Sequence, residues 1–178
     1  MAMSAIAGCG QQENAATSEN TATAPTPNNN ETVRMATSAD YPPYEFRDTA
    51  SGKDEIIGFD VDIANFIAKE LGFKLEVRDS DFNGLIPALQ TKRVDFVMAG
   101  MTPTEERKKN VDFSEIYYEA KNTLVAKNGT NFTKLEDLAG KKVGVQLGST
   151  QETAVKDASK TVKGINIVSL NKIGEIIQ

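Results

Sequence analysis

The sequence predicts an α/β protein in two similar halves, with mainly parallel sheets flanked by helices. Short apolar runs of strand length alternate with segments whose apolar residues recur at helical spacing. That alternation restarts after Tyr117-Tyr118. In each half a strand also runs directly into a capped helix start, once around residues 95–107 and again around residues 142–152. Strands and helices in this order lie as a parallel sheet with helices on its faces, and ligands of such sheets sit beyond the carboxyl ends of the strands.

Residues 32–36 form a short apolar strand, followed by a proline-rich loop through Tyr41-Pro42-Pro43-Tyr44-Glu45-Phe46. Asp60 is placed to cap a helix over residues 61–71, in which Ile63, Ile67 and Leu71 share one face before Gly72 ends it. Asp60 and Asp62 then read as acids favoured by the helix dipole, with no part in a site. Residues 74–78 return as a strand, 83–91 as a short helix and 95–98 as the next strand. The turn at 99–102 leads to a helix for which Thr102 is the expected N-cap, Pro103 the first residue and Glu105 the partner in a capping box. Arg107 adds a planar, permanently charged fork beside that turn, an arrangement suited to a carboxylate.

In the second half, residues 122–126 are expected as a strand. Thr133 with Glu136 should cap a helix that ends at Gly140, and residues 142–146 form a strand. Ser149 with Glu152 caps the helix after it and offers a second cradle of backbone N–H groups. Residues 165–170 read as a strand and 171–178 as the start of a helix that stops without a cap, so the sequence is expected to be a piece of a longer chain.

Composition narrows the chemistry. With 39% apolar and 25% charged residues, the 178-residue chain is ordinary for a folded protein of one or two domains. Its net charge of −5 and scattered lysines and arginines leave no basic stripe for nucleic acid. The absence of histidine and the single cysteine exclude Ser-His or Cys-His catalysis, a disulfide framework and a typical zinc site within this chain, and no cofactor is expected. Cys9, in Ile6-Ala7-Gly8-Cys9, resembles the lipobox of bacterial lipoproteins, which makes residues 1–9 a signal remnant and Cys9 the lipidation site. Residues 10–31 are rich in Asn, Thr, Ala, Ser and Pro and read as a disordered tether. Its twenty central residues would span about 25 Å as a flexible coil. Residues 32–118 then form a first lobe, and residues 119–178 a hinge strand with part of a second.

Several motifs in order resemble the family 3 extracellular solute-binding proteins, the amino-acid receptors of ABC importers, and in particular the glutamine- and arginine-binding types. They are TSADYPPYEF, GFDVDIANFIAKELG, DFNGLIPALQTKRVDFVMAGMTPTEERKKNVDFSEIYY and LEDLAGKKVGVQLGSTQE. The resemblance implies a periplasmic-binding-protein-like fold in which two lobes close on a ligand. It implies that Arg107 grips the ligand α-carboxylate, aided by N–H groups of Thr102 and Thr150. The Gly100 carbonyl and Thr102 hydroxyl would take the α-ammonium, Tyr41 and Phe82 would sandwich the side chain, and Ala99 would line the floor. Gln146, Ser149 and Thr150 would close from the second lobe, and residues 118–121 would be the hinge. Ser38 stands where relatives that prefer basic ligands often carry an acid, with Asp40 beside Tyr41 instead.

The resemblance further implies a monomer outside the cytoplasm, held to the membrane only through Cys9, that passes a polar or basic amino acid to ABC permease subunits. A sensory ligand-binding module and an enzyme of the cyclohexadienyl dehydratase type are the alternatives on the same fold.

Overall fold

A computed structural model describes residues 31–50 and 52–178. Cys9 and nearly all of the expected tether lie outside the described residues. The elements in chain order are β1 (Thr32–Thr37), β2 (Asp40–Tyr41), β3 (Glu45–Asp48), β4 (Glu55–Ile57), α1 (Phe59–Leu71), β5 (Lys74–Asp79), α2 (Leu85–Gln90), β6 (Phe96–Val97) and α3 (Glu105–Lys108). They continue with β7 (Lys142–Gln146), α4 (Thr150–Thr161), β8 (Asn166–Leu170) and α5 (Ile173–Ile177).

β1 is the central strand of a parallel sheet ordered β5-β1-β6. Side chains alternate across a strand, so the neighbours Met35 and Ala36 serve opposite faces. Met35 packs with Val61 and Ala64 of α1, whereas Ala36 packs with Leu85 of α2 and with Val94 and Ala99. One strand thus supports a core on each side, and the turn at Ala99 is built directly onto the second of them. β7 and β8 form a separate parallel pair, with register Lys142 to Asn166 through Gln146 to Leu170.

The proline-rich loop contains more structure than its composition predicts. β2, β3 and β4 form a small antiparallel sheet, with Asp40 opposite Phe46 and Phe46 opposite Ile57. It docks on the start of α1, where the Phe59 N–H donates to the Pro43 carbonyl (3.0 Å) and the Asp60 N–H to the Tyr44 carbonyl (2.9 Å). α1 accordingly starts at Phe59 with Gly58 as N-cap, and Asp60 lies inside the first turn, fully buried. The carboxylate expected to cap a helix is directed to other partners.

Further expectations are corrected. α3 is capped by Thr104, whose hydroxyl accepts from the Arg107 N–H at 3.2 Å, and Thr102 precedes the helix. Both threonines fit the capping pattern, but Thr104 is the one spaced three residues before that N–H. Around residue 135 a 3-10 turn, Leu135–Leu138, replaces the expected helix, and Asp137, not Glu136, accepts from the Thr133 and Lys134 N–H groups. Residues 122–126 form no strand, and neither do 118–121. Leu124 and Val125 are exposed. Strand preference is a preference for a pleated, half-buried surface, and no neighbouring strand among the described residues supplies one.

Candidate functional site

The first side of the site is the turn that follows β6. Ala99 is buried against Ala36 and Leu85 and fixes its floor. Gly100 adopts a left-handed φ of 52° and donates its N–H to Asp60 Oδ2 at 2.7 Å. A Cβ at Gly100 would lie 3.4 Å from the Tyr41 ring, so glycine lets the turn approach that ring closely. Tyr41 stacks on Tyr44 with ring centroids 5.0 Å apart, and Tyr44 meets Tyr118 edge-on at 5.7 Å. Tyr44 thus packs between two other rings, and Tyr41 is one wall of the same aromatic group.

Arg107 ties the site together. Its Nη1 donates to the Thr102 carbonyl at 2.9 Å, its Nη2 donates to the Gly148 carbonyl at 3.0 Å, and its Cζ lies 5.4 Å from the Phe82 ring centroid. Burial pulls the guanidinium below its ordinary pKa, yet arginine remains protonated in proteins. A cation partly withdrawn from water, with donors left over and an aromatic face behind it, is a strong site for an anion.

The facing side is the start of α4. Ser149 caps this helix by accepting from the Glu152 N–H at 3.1 Å, and its own hydroxyl donates to the Gln146 carbonyl at 2.7 Å. Glu152 receives the Gly148 N–H at 2.8 Å, the Ser169 hydroxyl at 2.7 Å and an ion pair from Lys156 at 2.8 Å. Burial pushes the Glu152 carboxyl up, but these partners outweigh it and hold it below its ordinary value. The loop at 146–149 is therefore fixed before any ligand arrives, and the first N–H groups of α4, from Thr150 on, lack acceptors within the helix. Gly148 sits tightly against Asn83, since a Cβ there would lie 3.1 Å from the Asn83 Cβ.

Ser38, Tyr41, Phe82, Ala99, Gly100, Thr102, Arg107, Gln146, Ser149 and Thr150 all line one cavity. Its volume of about 2810 Å³ exceeds the usual 300–1,000 Å³ of a small-molecule site, because the cavity continues along residues 112–132. Not every expected member presents a free polar group to it. The buried Ser38 hydroxyl donates to Asp40 Oδ1 at 3.2 Å, while Asp40 Oδ2 accepts the Ile173 N–H of α5 at 2.8 Å. The acid beside Tyr41 is engaged in a contact between the two sheet bodies.

The sequence does not disclose this second bridge. Lys172, just before α5, reaches Asp81 at 3.1 Å and Asp79 at 3.9 Å. Replacing Lys172 with Ala is expected to weaken ligand binding without touching the ligand, by no more than about fivefold, the range of an exposed ion pair. The loss should disappear at high salt, where titration calorimetry would find the two proteins equal. An unchanged affinity at low salt would show that this pair does not favour closure.

Two α/β bodies face each other across a cleft, one supplying an arginine-backed turn and the other a helix N-terminus. This is a periplasmic-binding-protein-like fold, with the second body present in part. Residues 33–172 match the bacterial extracellular solute-binding proteins, family 3, and the chain belongs to that family.

Among its relatives is the arginine-binding extracellular protein ArtP of Bacillus subtilis (strain 168), 49% identical over 144 residues, which cover 81% of this chain and 54% of that protein. An ancestral arginine-binding protein bound to arginine superimposes with a TM-score of 0.78 at 49% identity, covering 83% of this chain and 64% of that one. An ancestral amino acid-binding protein described as a precursor of cyclohexadienyl dehydratase gives a TM-score of 0.74 at 44% identity, with 83% and 64% covered. This chain spans about half the length of the curated relatives it matches.

Proposed function

We propose that this chain is the ligand-capturing part of a receptor for a polar or basic L-amino acid, glutamine- or arginine-like, which it passes to the permease subunits of an ABC importer. The observation that carries this is Arg107, held between the Thr102 and Gly148 carbonyls and backed by Phe82. Its fork and the N–H groups around Thr102 and Thr150 suit an α-carboxylate. The Gly100 carbonyl and the Thr102 hydroxyl suit an α-ammonium, and Tyr41 with Phe82 suits a long flat side chain. Gln146, Ser149 and Thr150 would close over the ligand, with Ser38 and Ala99 at its base.

The names of the relatives support the ligand class, and the family description supports a place outside the cytoplasm. A lipid on Cys9 would hold the protein at the membrane. Residues 32–118 and 119–178 are the working division into lobes.

Binding without chemistry is the favoured reading over a dehydratase. A dehydratase would need a catalytic acid held in the cleft, and of the buried acids Asp60 is bonded to Gly100 and Tyr117 and Glu152 is committed to its own loop.

Titration calorimetry with the twenty L-amino acids tests the proposal. Saturable binding of arginine, glutamine or a close analogue is expected, and none of agmatine, which keeps the guanidinium and lacks the carboxylate. Binding of agmatine as strong as that of arginine, or no heat with any amino acid, would overturn it.

A further inference from the structure

Glu45 and Asp60 are both fully buried, and they face each other. Glu45 comes from β3 and Asp60 from the first turn of α1, and the backbone bonds between residues 43–44 and 59–60 lock the two elements together. Asp60 is well supplied with donors. Oδ2 accepts the Gly100 N–H at 2.7 Å, and the Tyr117 hydroxyl lies 3.0 Å from both carboxylate oxygens. Among the described residues no donor reaches either oxygen of Glu45. The Asp60 carboxylate lies within hydrogen-bonding reach of it but is itself an acceptor, so their contact becomes a hydrogen bond only with a proton between them.

Two carboxylates in one buried site cannot both ionise at modest cost. Asp60 in α1 and Asp40 in β2 both oppose ionisation of Glu45, and the phenols of Tyr41 and Tyr117 lie within reach of its charge. Burial, then the charge of Asp60, push the Glu45 carboxyl up to about 9.

We propose that Glu45 is a positioning residue of the ligand site: as a neutral acid it donates to Asp60, and Asp60 in turn holds the Gly100 N–H and the Tyr117 hydroxyl. The inference rests on the reading of residues 99–102 as an amino-acid cradle. Fixing the Gly100 N–H fixes the peptide plane between Ala99 and Gly100, from which the rest of the turn projects. Tyr117 lies at the start of the segment that leads to the second body, and its ring packs against Phe59. One proton thus secures both the cradle and the beginning of the connection.

Two variants and two readouts test this. Glu45→Gln keeps a neutral N–H donor and should bind the ligand within about twofold of the wild type near pH 7. The ratio of the two Kd values should then grow about tenfold by pH 10, as the wild-type acid ionises beside Asp60. Titration of the ligand's own ammonium cancels in that ratio. Glu45→Leu removes the donor and should weaken binding about tenfold near pH 7, the cost of leaving a buried polar group short of a partner.

The second readout is thermal unfolding without ligand, and it is independent of the cradle. Folded Glu45 keeps its proton up to about pH 9 while the unfolded residue loses it near the ordinary value of 4.5. The wild type should therefore lose stability relative to Glu45→Gln as pH rises between those values, and level off above them. A flat stability difference would overturn the shared proton. A sloping one with a Kd ratio constant to pH 10 would overturn the positioning role. No binding by either protein, with the slope present, would establish the shared proton and overturn both the amino-acid reading and the role that depends on it.

Discussion

Arg107→Ala is expected to abolish measurable amino-acid binding while leaving the protein folded. Truncating one partner of a buried, hydrogen-bonded charge pair costs about 2–5 kcal/mol, or roughly 30-fold to several thousand-fold in Kd. The side chain contributes little to either core: its hydrogen bonds go to two backbone carbonyls, and its ring contact is with a half-buried Phe82. Arg107→Lys retains the charge but loses the planar fork, so it should recover only part of the affinity. Calorimetry would separate the three proteins, and circular dichroism would confirm that each is folded. A Kd within about threefold of wild type for the alanine variant would remove Arg107 from the site.

Gly58→Ala is expected to be the most damaging small change to stability. Gly58 has φ 126° and ψ 177°, a backbone region essentially reserved for glycine. A Cβ there would also collide with the Tyr44 carbonyl and lie 2.9 Å from the Pro43 carbonyl oxygen. Neither carbonyl can move away cheaply, because each accepts a hydrogen bond from the first turn of α1. Strain and collision together should cost about 3–5 kcal/mol, a large share of the 5–15 kcal/mol typical of a folded domain. At this chain length about 3 kcal/mol lowers Tm by roughly 6–12 °C. Thermal melts that differ by less than about 2 °C would show that the junction between the small sheet and α1 can relax.

The order of strands and helices was legible because apolar spacing differs between the two and because β1, β5, α1 and β7 are each long enough to show it. Less legible was anything set by a partner distant in sequence. Leu124 and Val125 have the composition of a strand, but a strand needs a neighbour, and composition does not report one. β2, β3 and β4 are the reverse case: two prolines and two to four residues per strand disguise a sheet whose pairing is fixed by docking on α1.

The site divides along the same line. Arg107, Ser149 and the turn at 99–102 lie in local strand-to-helix junctions with recognisable caps, although the cap itself shifted from Thr102 to Thr104. Asp60, Glu45 and Tyr117 were missed because each reads locally as something ordinary: a helix-start acid, a loop acid, an aromatic in a polar segment. The available signal was an acid placed within the aromatic run Tyr44-Glu45-Phe46, where burial would leave it without water. Lys172 gave none, since its partners Asp79 and Asp81 lie some ninety residues earlier.

The bond from Arg107 to the Gly148 carbonyl has a thermodynamic consequence. A guanidinium has five N–H donors, and the two backbone carbonyls take one each through Nη1 and Nη2. A carboxylate can occupy others without evicting the opposite body, so one cation serves the guest and the jaw together. Linkage then requires reciprocity: the factor by which a guest favours the Gly148 contact equals the factor by which that contact tightens the guest. A compound that fills the fork but is too bulky to leave room for Gly148 would reverse the sign of this coupling. It would act as a wedge, bound at the arginine and holding the jaws apart.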